Sequence, residues 1–219
     1  MPTVTALSAT RRGGIALHVD GDFVCPVSEV IVARWHLYAG RELADDDLAE
    51  LLEQASAERI MGDAYRLLGH RVRSRAELRR RLLEKGHSES STESALQRLE
   101  LAGHVDDEAF AKAFITDKRD LAGWGRTRIA RELRTLGVAD SVIEAGLGET
   151  DDQGETARAL AMLSRKGKAR APLEASKRRA YQMLLRRGYP SSIAYAAIRI
   201  WAAQSEPDGH LGHIDATSE

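Results

Sequence analysis

Cysteine is almost missing from this chain of 219 residues; Cys25 is the only one. A single thiol excludes an internal disulfide framework and a cysteine-ligated zinc site. Aromatic residues make up only 5% and proline only five positions. That is too little of what fills a β-sandwich, so helices are expected instead. No apolar run approaches the roughly 18 residues of a membrane span. The opening MPTVTALSATRRGG lacks the basic start and apolar core of a secretory leader. There is no phosphate-binding glycine loop with Lys-Ser/Thr, no Gly-x-Ser-x-Gly elbow and no zinc motif. The expectation is a soluble, cytoplasmic, mostly helical protein without a cofactor or catalytic activity.

Charge of one sign is lacking too, since 32 Lys and Arg face 33 Asp and Glu. The net of −1 argues against a nucleic-acid binder only until it is divided. Residues 1–56 hold 4 basic and 9 acidic side chains, residues 57–200 hold 28 and 20, and residues 201–219 hold none and 4. A basic middle thus lies between two acidic ends, a distribution suited to an anionic partner.

Along the chain, residues 1–13 read as a disordered start. Ile15, Leu17 and Val19 alternate before Asp20-Gly21, a two-residue turn signal, and Phe23-Val24-Cys25 returns as a second strand. A helix follows from Ser28, with Val30, Ala33 and Leu37 on one face until Gly40. Asp45, Asp46 and Asp47 open the next helix, where acids favour the free amides and the dipole over any metal site.

The middle of the chain repeats. Gly86, Gly137 and Gly188 are 51 residues apart, and Leu82, Leu133 and Leu184 precede them by four. Each glycine ends one helix and introduces another, so stacked three-helix units are expected. The domains read as a β-hairpin and helix module at 14–56, repeats at 57–105, 106–150 and 151–203, and a disordered acidic tail at 204–219. Ser74-Arg75-Ala76-Glu77 is a capping box. Asp106 and Asp107 read as helix caps, and His70, His87 and His104 as surface residues.

The motifs RVRSRAELRRRLLEKG at 71–86, LELAGHVDDEAFAKAFITDK at 99–118 and GRTRIARELRTLGV at 125–138 resemble the RecX family, regulators of the bacterial recombinase RecA. The resemblance extends over roughly residues 15–201. It implies a mainly α fold, an elongated tandem array of three-helix repeats behind a small N-terminal β-hairpin and helix. It also implies a chain that binds the RecA–DNA filament and inhibits its ATPase activity and strand exchange. Single- and double-stranded DNA would be met through the basic repeats by a monomer, with no membrane involved. An alternative is a sequence-nonspecific DNA-binding protein with no recombinase partner.

The candidate contacts are basic. The first repeat offers Arg71, Arg73, Arg75 and Arg79, whose planar forks suit phosphate or carboxylate. Reversing Arg73 and Arg75 to Glu is expected to weaken inhibition without unfolding the chain. The competing reading is a solvated face with intrahelical pairs such as Glu77 with Arg81. The second repeat offers Lys118, Arg119, Arg126, Arg128 and Arg131 around Trp124, which either stacks on a partner or plugs a gap between repeats. The third offers Arg165, Lys166, Lys168 and Arg170 in a loop, then Lys177 and Arg178.

Overall fold

The computed structural model describes residues 1–10, 14–148, 151–165, 167 and 173–204. The described residues are mainly helical and divide into two compact units, Met1–Asp106 and Asp107–Glu219.

The first unit opens on an antiparallel sheet of three strands, β1 (Val4–Ala9), β2 (Ile15–Val19) and β3 (Asp22–Val27), in that order. Asp20 (φ 53°) and Gly21 (φ 95°) make the predicted turn between β2 and β3, both in the left-handed region such a turn requires. The disordered start is corrected: β1 pairs with β2 from Val4–Val19 to Ala9–Ile15. Its first residues are also held from the other side, where Val4 N–H donates to the Arg41 carbonyl at 2.8 Å. Only Val4 of this strand is fully buried, so backbone pairing rather than an apolar pattern defines it. Residues 11–13 lie outside the described residues.

Helix α1 (Glu29–Arg34) is shorter than expected and turned differently. Ile31 is fully buried, Val30 is exposed, and the chain leaves the helix at Trp35, followed by His36 at φ 47°. Helix α2 (Asp45–His70) begins on the three aspartates, as predicted, but runs 26 residues without a break at 56–57. Leu51 and Ala55 serve the core under the sheet; Ile60 and Ala64 serve the core of the first repeat. That repeat is completed by α3 (Arg75–Glu84) and α4 (Glu89–Leu101).

The second unit contains α5 (Asp107–Thr116), a π-helical extension (Asp117–Leu121), α6 (Arg126–Thr135) and α7 (Asp140–Leu147). It continues with α8 (Asp152–Arg165), α9 (Leu173–Arg186) and α10 (Ser191–Ala203). The acidic tail from residue 205 lies outside the described residues. Burial follows the repeat: Leu78, Ile129 and Ala180 occupy one level, Leu82, Leu133 and Leu184 the next, and Thr92, Ile143 and Ala194 a third. The middle helices end alike. Gly86, Gly137 and Gly188 have φ between 78° and 87°. The following amide donates five residues back, from His87 to Leu82, Val138 to Leu133 and Tyr189 to Leu184. This is a Schellman cap, and the residue after the glycine packs inward in all three. The first helices lose register because Ala159 precedes Ala180 by 21 residues, whereas Ile60 precedes Leu78 by 18.

Ser74 caps α3 by accepting from Glu77 N–H at 3.1 Å. The corresponding residue of α6 is Gly125, which has no side chain to offer. Its helix is capped by the third repeat instead. Gly125 N–H donates to the Arg187 carbonyl at 2.8 Å and Thr127 N–H to the Gly188 carbonyl at 3.1 Å. Arg126 N–H donates to Glu155 Oε1 of α8 at 2.9 Å. The end of one helix thus meets the start of another, with the partial charges of their termini opposed. Contact this close needs glycine on both sides. A Cβ on Gly125 would lie 2.3 Å from the Gly188 carbonyl oxygen, and one on Gly188 would lie 2.3 Å from Arg128 Cβ.

Gly188→Ala is therefore expected to destabilise the chain by about 3 kcal/mol, combining left-handed strain with overpacking. Gly86→Ala shares the strain but meets open space, so it is expected to cost only about 1 kcal/mol. Urea unfolding followed by circular dichroism checks both; equal losses would show that the crowding is relieved without cost.

Candidate functional site

In the first repeat the four candidate arginines, Arg71, Arg73, Arg75 and Arg79, are occupied by the protein itself. Glu77 is buried, its side chain 2% exposed, and Arg71 and Arg73 both donate to its Oε1. Arg73 is itself only 10% exposed and also donates from Nε to the Leu67 carbonyl at 3.0 Å, tying the end of α2 to the start of α3. Arg75 reaches Glu93 at 2.6 Å and Glu100 at 2.7 Å on α4. Arg79 reaches Glu93 at 2.7 Å and also pairs with Glu89. Hydrogen bonds from Arg75 and Arg79 hold the Glu93 carboxyl below its usual range. The Glu77–Arg81 pair of the competing reading is replaced: Arg81 pairs with Glu84 at 3.0 Å, and Glu77 turns to Arg71 and Arg73 ahead of its helix.

His87 corrects a second expectation, for it is buried while His70 and His104 are exposed. It fills the inward position after Gly86 that Val138 and Tyr189 fill in the other repeats. Being polar there it needs a partner, and its Nε2 lies 2.9 Å from Asp63 Oδ2 of α2. Burial alone would raise the Asp63 carboxyl; hydrogen bonds with His87 and Lys85, with the charges of Lys85 and Arg66, outweigh it and hold the group below its usual range.

The second repeat presents a mixed cluster. Trp124 is half-buried. It meets the edge of Phe114 at 6.4 Å between centroids, and the Arg128 guanidinium lies 3.9 Å from its ring centre. Lys118 pairs with Asp117 at 2.6 Å and sits 5.6 Å from the same ring. Arg119 and Arg126 border a cleft of about 60 Å³ beside Trp124, shared with Arg158, Asp151 and Glu155. Arg131 is exposed, and Arg134 pairs with Asp140 at 2.6 Å.

In the third repeat Arg165 ends α8, while Lys166, Lys168 and Arg170 lie outside the described residues. Lys177 pairs with Glu174 at 2.9 Å. Arg178 is exposed and, among the described residues, makes no ion pair. Sequence reasoning passed over three further residues of this repeat: Arg199, equally unpaired among the described residues, and Tyr181 and Tyr195, whose rings lie 4.7 Å apart. Their signal was the composition of α10, which contains no acid at all.

The helix pairs form a gradient. Helices α3 and α4 carry five basic and five acidic residues, α6 and α7 four and three, and α9 and α10 five and one. Uncompensated positive charge therefore gathers on the last repeat.

A family model for the first three-helix domain of RecX matches residues 61–99, and one for the second matches residues 106–147. A regulatory protein RecX of Mycolicibacterium smegmatis is 37% identical over 150 residues, covering 65% of this chain and 79% of that protein. The chain belongs to the RecX family. The RecX of Geobacillus kaustophilus is 29% identical over 216 residues, 95% of this chain and 80% of the relative. The fold is that of a RecX crystal structure with a TM-score of 0.64 at 20% identity, covering 91% of this chain and all of that one. The RecX structure from Lactobacillus salivarius gives 0.60 at 16% identity over 68% of this chain and 97% of that one. A regulatory role follows from this membership. No helix among the described residues is long and apolar enough to cross a membrane.

The buried Glu77 clamp makes Arg73→Glu a folding variant, against the expectation from the sequence. Two carboxylates would then share one buried site, and a loss of about 3 kcal/mol is expected. Arg80→Glu, on an exposed side chain, is expected to change stability by less than about 0.5 kcal/mol. Thermal unfolding distinguishes them, and a wild-type melting temperature for Arg73→Glu would remove the clamp.

Asp63 sets an acid limb. Its folded pKa is depressed, so its contribution is complete above the unfolded value of about 4 and is lost as pH falls through the folded one. Asp63→Asn is expected to cost about 1–2 kcal/mol at pH 7 and less at about pH 3, below the unfolded value, where wild type has begun to lose the same contribution. Urea midpoints at the two pH values that differ from wild type by equal amounts would contradict this.

Proposed function

We propose that this chain binds the filament that the bacterial recombinase RecA forms on DNA, and that it lowers the filament's ATPase activity and strand exchange. It works as a cytoplasmic monomer without a cofactor or catalytic activity of its own. The observation that carries this reading is the charge gradient, which leaves four net positive charges on the α9–α10 pair and none on α3–α4. A regulator of a DNA-bearing filament needs a surface whose cations are not already spent on intramolecular partners, because paired arginines must first give up a carboxylate. The first repeat then acts as a rigid support, and contacts fall mainly on the later ones. Membership of the RecX family supports the recombinase as partner over DNA alone.

The test is a titration into a DNA-dependent RecA ATPase assay. Inhibition is expected below one chain per recombinase subunit and is expected to persist at moderate salt. Simple phosphate binding would fall steeply with salt whether or not recombinase is present. Arg178→Glu with Arg199→Glu is expected to raise the concentration for half-inhibition at least fivefold, whereas Arg80→Glu with Arg81→Glu leaves it within about twofold. An ATPase rate unchanged across the titration would overturn the reading.

A further inference from the structure

Tyr195 is 63% exposed on α10, yet it is not an isolated surface aromatic. Tyr181 of α9 stacks behind it at 4.7 Å with the ring planes inclined by 31°. This contact backs the Tyr195 ring from one side, while most of the residue stays exposed. The hydrogen bond with Tyr181 pushes the Tyr195 phenol above its usual value. Helical spacing sets Lys177 and Arg178 one turn from Tyr181, and Arg199 one turn from Tyr195. Arg178 and Arg199 are exposed, with no ion pair among the described residues. Carboxylates are scarce around this aromatic pair: α10 has none, and Glu174 of α9 is engaged by Lys177.

We propose that Tyr181 and Tyr195 form a stacking platform for an unpaired base of single-stranded nucleic acid, with Arg178 and Arg199 holding the phosphates on either side. Aromatic faces accept any base, and flanking cations track the backbone, which together give binding without sequence preference. A duplex keeps its bases inside the stack and offers the platform nothing, so the strand must be single. The excess of cations on α9 and α10 favours a polyanion over a protein surface of mixed charge. The proposal deepens the filament reading by naming what the third repeat touches, but it needs no recombinase, so the two are tested separately.

The experiment is fluorescence anisotropy with the full chain and a labelled oligothymidylate of about 15 nucleotides. An abasic strand of equal length and a duplex serve as comparisons. Wild type is expected to bind oligothymidylate about tenfold more tightly than the abasic strand. Tyr195→Ala is expected to lose that difference while its binding to the abasic strand and to duplex stays at the wild-type level. Tyr195→Phe is expected to keep it, and Arg199→Gln to weaken all three strands and lower the slope of log affinity against log salt by about 0.7 on the single strands. Equal wild-type affinity for the thymidylate and abasic strands, or an unchanged preference in folded Tyr195→Ala, overturns the proposal. The wild-type comparison decides the matter even if that variant does not fold. Recombinase ATPase inhibition by the same variants separates the two readings: inhibition kept while base preference is absent leaves the filament reading and removes the platform.

Discussion

The second unit is organised by backbone meeting backbone between Gly125 and Gly188. The amides that begin α6 have no side-chain cap of their own and use the carbonyls that end α9. Glu155 of α8 takes another of them. Two repeats therefore complete each other's helix termini, and each would expose unsatisfied polar groups without the other. The first repeat solves the same problem locally with Ser74. One motif thus exists in two versions, one capped from within and one capped by the next unit.

The same division runs through the charges. The first repeat surrounds its arginines with acids from its own helices, and the buried Glu77 fixes the approach to α3. Arginine there is a structural element, aligned by carboxylates and unavailable without cost to a partner. In the third repeat the middle helix still carries arginine and lysine, but the helix after it contributes no carboxylate. A repeat that multiplies a scaffold can in this way specialise its copies, keeping the apolar levels constant while the facing helix decides whether the cations are spent or free.

Much of this was legible in the sequence. The Asp20-Gly21 turn, the 51-residue spacing and the three glycine stops are local signals, each imposed by backbone geometry, and the structure places them as read. What was missed depends on distant partners. Strand β1 has one core residue, so its existence rests on pairing with β2. Helix α1 has six residues, too few for periodicity to tell Ile31 from Val30. Arg73 looks like any other arginine until the fold puts Leu67 and Glu77 around it. The Gly125–Gly188 contact joins positions 63 apart, and a glycine in sequence does not disclose what approaches it. The tyrosine pair escaped notice because its members lie on different helices and neither breaks the pattern of its own.

Helix α2 spans two hydrophobic clusters, giving Leu51 and Ala55 to one and Ile60 and Ala64 to the other. Its central turns are therefore shared property. Opening either cluster leaves those amides hydrogen-bonded so long as the other holds, and they exchange with solvent only when both are lost. The central turns of α2 are accordingly the best-protected backbone that the sheet and the first repeat share, and they outlast the opening of either cluster alone.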